Sequence, residues 1–119
     1  MYNMNELKKN INLLNEVEWD LNPAVAVGRH LEWGAGWACD NYTARGSGDE
    51  SIYFAISTWD KPTRVVLIKR TGFDMEELAM YDLPPQIEAA FLKSVGHKNG
   101  MYELDENVKK WLKGKLDVN

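Results

Sequence analysis

The side chains best suited to chemistry crowd into one stretch, Gly28-Arg29-His30-Leu31-Glu32-Trp33-Gly34-Ala35-Gly36-Trp37-Ala38-Cys39-Asp40-Asn41-Tyr42. It holds one of the chain's two histidines and its single cysteine. His30 titrates near neutrality, so it is a candidate acid, base or ligand. Wound as a helix at about 100° per residue, Ala26, His30, Trp33, Trp37 and Asn41 share one stripe. Arg29, Glu32, Gly36 and Cys39 fall on another. Glycines on a helix face let a backbone or a flat ligand approach closely, and indole rings suit stacking and interfaces. Arg29, His30, Trp33, Gly36, Trp37 and Asn41 are therefore the candidate binding residues. The plainer reading is that an aromatic stripe at helical spacing packs a core.

More specific chemistries fail on spacing. Glu32 points to a different helix face from His30 and forms no dyad with it. His30, Glu32, Cys39, Asp40 and His97 match no zinc-ligand pattern, so no metal or other cofactor is expected. Cys39 and His30 would stand about two and a half helical turns apart, too far for a nucleophile–base hydrogen bond. Gly46-Ser47-Gly48 lacks the Lys-Ser/Thr of a phosphate loop. Gly28, Gly34 and Gly36 follow no strand, as a dinucleotide fingerprint requires. An acid/base enzyme would have to draw on His30, Asp40 or His97.

Those residues must be carried by a small body. The chain has 119 residues, 45% hydrophobic and 27% charged, with a net charge of −4, which matches one compact domain over 1–119. The acidic balance argues against a protein that grips nucleic-acid phosphate. No run approaches the length of a membrane span, and the first residues lack a signal peptide's apolar core, so a cytoplasmic protein is expected. One cysteine makes no internal disulfide.

The supporting elements read as follows. Met4, Leu7, Ile11, Leu14 and Val17 recur at steps of three and four, predicting one amphipathic helix that ends near Trp19. Asn22-Pro23 is a helix start, and Val27, Leu31, Ala35, Ala38 and Tyr42 form a stripe over 24–43. Trp33, Ala35, Trp37 and Cys39 also alternate as a strand would. The cap, the length and the five-member stripe favour helix, although Gly28, Gly34 and Gly36 each cost a helix about 1 kcal/mol against Ala. After the polar loop 44–50 the period becomes two: 52–59 and 64–70 form a hairpin across Asp60-Lys61-Pro62-Thr63, and 75–82 a third strand, with a short helix as the competing reading. Leu83-Pro84-Pro85 opens a helix with Ile87, Ala90, Phe91 and Val95 inward, stopped at Gly96. Asp105 caps a last helix with Val108, Trp111, Leu112 and Leu116 on one side. The lysines at 109, 110, 113 and 115 complement that helix's C-terminal dipole.

The expected architecture is α+β: a two-layer, three-stranded antiparallel β-meander with two N-terminal and two C-terminal helices. Both faces of the meander carry large side chains, Ile52, Phe54 and Ile56 against Tyr53 and Trp59. Either helices cover both faces or one is kept for a partner. With five Trp and five Tyr, the expected function is a non-catalytic interaction module that binds a protein partner or a second copy of itself, with no nucleic acid and no membrane. The alternative is a small planar ligand stacked on Trp33 and Trp37 and held by Arg29, His30 or Arg45.

Overall fold

A computed structural model of the chain describes residues 1–19, 50–59, 61–71, 74–96 and 101–118. They form an α+β body: α1 (Met4–Lys9), α2 (Ile11–Glu16), β1 (Glu50–Ser57), β2 (Arg64–Thr71), β3 (Asp74–Asp82), α3 (Pro85–Ser94), β4 (Met101–Glu103) and α4 (Glu106–Leu116). The meander β1-β2-β3 is antiparallel throughout, with helices before and after it. The predicted helix over 24–43 lies outside the described residues.

The N-terminal segment is two short helices where one was expected. Asn3 and Glu6 form a reciprocal capping box, each side chain accepting from the other's backbone N–H at 2.8 and 2.9 Å. Asn10 then breaks the run. Its N–H donates to the Leu7 carbonyl, while its side-chain oxygen accepts from Leu13 N–H at 3.2 Å, closing α1 and capping α2. An Asn side chain competes with the helical ladder for backbone partners, and here it wins. The break shifts the helical phase. Leu7, Leu14 and Val17 stay buried, but Ile11, expected inward, is 66% exposed. Val17 leaves the helix extended and bridges Ile52, and Glu18 N–H donates to the Ile52 carbonyl at 2.8 Å.

The sheet is one strand wider than expected. β4 pairs antiparallel with β1, placing Tyr102 opposite Ile56, and the strand order is β3-β2-β1-β4. β3 also carries a bulge: Leu67 faces Ala79 but Ile68 faces Glu77, so Leu78 has no opposite residue. A bulge resets the two-residue alternation. Leu78 therefore packs with Ala79 and Tyr81 against the helix-side core, where strict alternation puts it with Met80.

That core joins Ile52, Phe54, Ile56, Val65, Leu67 and Ala79 from the sheet to Leu7, Leu14, Phe91, Val108, Leu112 and Leu116 from the helices. Trp19 packs on Phe54 with the rings tilted by 33° and 5.3 Å between centroids, and the Lys113 ammonium lies 5.3 Å from the Trp19 ring centre. On the opposite sheet face Tyr53, Ala55, Val66 and Ile68 form a second cluster with Met80 packed on it. Its four central residues are at most 1% exposed, so this face is not held open for a partner.

Helix ends follow their local signals. α3 begins at the double proline and stops at Gly96, whose φ of 72° is the left-handed geometry that glycine adopts without strain. Asp105 caps α4, accepting from Val108 N–H at 2.8 Å. At the other end Asp117 takes the left-handed position (φ 59°), with Val118 N–H donating to the Lys113 carbonyl and Asp117 N–H to that of Gly114. An acidic side chain there meets both the Cβ penalty and the negative end of the dipole. Asp117→Gly is expected to stabilise the fold by about 1 kcal/mol in urea unfolding.

β3 and the N-terminus are tied together by Tyr2 N–H donating to the Leu78 carbonyl and by the Tyr81 hydroxyl donating to the Tyr2 carbonyl at 3.2 Å. Burial, helped by the Glu6 charge, pushes the Tyr81 phenol from its ordinary 10 up to about 12. Between those pH values the folded state keeps a proton that the unfolded chain releases, so stability falls as pH rises from 10 towards 12. A near-ultraviolet phenolate titration should show a late component that Tyr81→Phe removes, together with that part of the alkaline destabilisation.

Candidate functional site

The six residues expected to bind, Arg29, His30, Trp33, Gly36, Trp37 and Asn41, lie outside the described residues, as do Glu32, Cys39, Asp40, Arg45 and His97. Among the described residues, no three His, Cys, Asp or Glu side chains gather closely enough to hold a metal ion. The remaining aromatics separate cleanly. Tyr53 is wholly buried and Trp59 is 47% exposed. Trp111 is half-buried, with one side against the core.

The free side of Trp111 opens onto a groove of about 620 Å³ between α3 and α4. Gln86, Ile87 and Ala90 line it from α3; Asn107, Lys110, Trp111, Gly114 and Lys115 line it from α4. Its floor is Ile87 and Trp111, which both pack against the core, so their rings and methyls sit on a rigid base. Its rim is exposed: Gln86, Ala90, Asn107, Lys110, Gly114 and Lys115 all face solvent. Ala90, expected inward, is thus a groove wall.

Helix geometry builds this site. Residues 107, 111 and 114 recur at steps of four and three along α4, while 86/87 and 90 do the same on α3, so each helix offers a continuous strip. Gly114 stands out. Nothing lies within 4 Å of where its Cβ would be, and its φ is not in the left-handed range. Neither packing nor backbone conformation calls for glycine at this helical position, which costs about 0.5–1 kcal/mol relative to Ala. Gly114→Ala should raise stability by that amount in thermal or urea unfolding. The glycine does keep the groove wall low.

The four basic residues of α4 have different surroundings. Lys109 sits 3.5 Å from Glu106, and Lys113 lies over Trp19. Lys110 and Lys115 flank the groove without an ion-pair partner among the described residues. Their common position near the helix C-terminus does not reveal this division. The signal was present as Lys110-Trp111 and Gly114-Lys115, one helical turn apart on the same side. Elsewhere Tyr102 meets Phe91 edge-on at 5.5 Å, and burial raises its phenol above the ordinary value, a packing role away from the groove. The groove holds no acid, base or nucleophile pair. It offers apolar area with two positive charges beside it. Comparison of the chain with family models, with curated proteins and with solved structures finds no match to any of them.

Proposed function

We propose that this protein is a non-catalytic interaction module that docks a protein partner in the groove between α3 and α4. The observation that carries the reading is the floor: a tryptophan and an isoleucine anchored in the core on one side and left half open on the other, beneath an exposed rim. A tryptophan whose ring is half buried is a typical centre of an interface, because it buries much area at little entropy cost. The glycine at the wall fits the same use. No helix among the described residues is long and apolar enough to cross a membrane, and on this reading the module works in the reducing cytoplasm, where its one cysteine needs no partner.

The test places a photo-activatable cross-linker at Ala90 on the groove wall and, as control, at exposed Glu76 on β3. In the native cell, position 90 should trap one discrete segment of a partner, and position 76 should not. Trp111→Ala should abolish the adduct while the chain still unfolds cooperatively; Gly114→Gln, at an open helical position, is the second variant should Trp111→Ala unfold. No adduct at 90, or the same adducts from both positions, would overturn the proposal.

A further inference from the structure

We infer that the occupant of this groove is an acidic amphipathic helix of a partner protein; the inference rests on the docking reading above and assigns the partner's chemistry. The charge pattern comes first. The chain has 18 acidic and 14 basic residues, yet both charged side chains lining the groove are lysines, Lys110 and Lys115. Neither has a carboxylate partner among the described residues. An apolar trough with unpaired cations on its rim complements a segment that has apolar side chains on one face and carboxylates beside them.

Shape decides the conformation. Both walls are helices, whose backbone groups are already hydrogen-bonded along the ladder, so an extended strand would find no row of N–H and C=O groups to pair with. A helix needs none, since it satisfies its own backbone and presents side chains at i, i+3, i+4 and i+7, the arrangement that fills grooves of this kind. The missing Cβ at Gly114 lets its backbone come close. Other occupants fit less well. Two lysines are too few to hold a nucleic acid. A second groove among the described residues, of about 440 Å³ between α1–α2 and the end of α4, is lined by Lys8 and Asp117, one charge of each sign, and sets no preference.

The experiment uses the full chain and two synthetic helical peptides of about 20 residues, long enough to form helix in part. They share an apolar Leu/Ala face; one carries Glu on its flanks and the other Lys. In fluorescence anisotropy the Glu peptide should bind at least about tenfold more tightly, and several-fold more weakly as salt shortens the screening length. The double variant Lys110→Glu/Lys115→Glu, at two exposed positions, should reverse the order of the two peptides. Amide and indole resonances of Ile87, Ala90, Trp111 and Gly114 should shift on binding. Equal affinity for both peptides, shifts confined to other surfaces, or binding to phosphatidylserine vesicles in place of the peptide would overturn the inference. A cross-link at Ala90 that survives such a failure shows a partner of other chemistry. Loss of both removes the groove itself, and concentration-independent scattering mass excludes a second copy as occupant.

Discussion

Ile68→Ala is expected to destabilise the protein by about 2–5 kcal/mol, a large part of the 5–15 kcal/mol that a domain commonly has. Ile68 is 0% exposed and stands opposite Tyr53 in the second cluster, on the sheet face away from the helix-side core. If that face were wet, as the free side of an antiparallel sheet often is, the substitution would cost a few tenths of a kcal/mol. The outcome therefore separates a sheet buried on both faces from one with a spare surface. Equilibrium urea unfolding measures it, and an unchanged m-value would show that the loss lies in the native contacts.

Leu112 and Trp111 are neighbours on α4 with opposite duties, and their truncations should differ accordingly. Leu112 is 0% exposed within the helix-side core, so Leu112→Ala trims a buried isobutyl group to a methyl and leaves a cavity, at about 2–5 kcal/mol. The midpoint of thermal unfolding should fall on the order of 10 °C. Trp111 is larger, yet one side of its ring faces the groove. Trp111→Ala should cost less, about 1–2 kcal/mol, because there is less buried contact to lose. A ring that served the core alone would reverse this order, since fully buried tryptophans cost about 3–5 kcal/mol on truncation. The comparison thus reads the role of Trp111 from stability alone.

Local signals were legible where the physics is local. The Asp105 cap, the double proline before α3, the glycine stop at Gly96 and the two-residue period of β1 and β2 all appear in the fold as the sequence predicts. The alternation of β3 was also enough to choose strand over helix, although the bulge at Leu78 changes which side chains face inward. The errors come from competition and from distance. Asn10 sits inside a well-formed apolar stripe, and only its side-chain hydrogen bonding reveals that the stripe belongs to two helices. β4 is three residues long and pairs with a strand more than forty residues earlier, so nothing in Met101–Glu103 marks it. The groove belongs to neither helix alone: α4's own periodicity shows Trp111 beside Leu112 but not that Ile87 and Ala90 stop short of covering it. The division of the aromatic residues into a buried Tyr53, an exposed Trp59 and a half-open Trp111 required the tertiary structure.

The most direct measurement is the solvent exposure of each indole, read from the fluorine spectrum of protein labelled with 5-fluorotryptophan and recorded in light and heavy water. Five resonances are expected, one per tryptophan, assigned by single substitutions. The account predicts a clear solvent isotope shift for Trp59 and a smaller but definite one for Trp111, the latter vanishing when the acidic helical peptide is bound. A Trp111 resonance that ignores the solvent would mean a closed groove, and the interaction reading would have no surface to stand on.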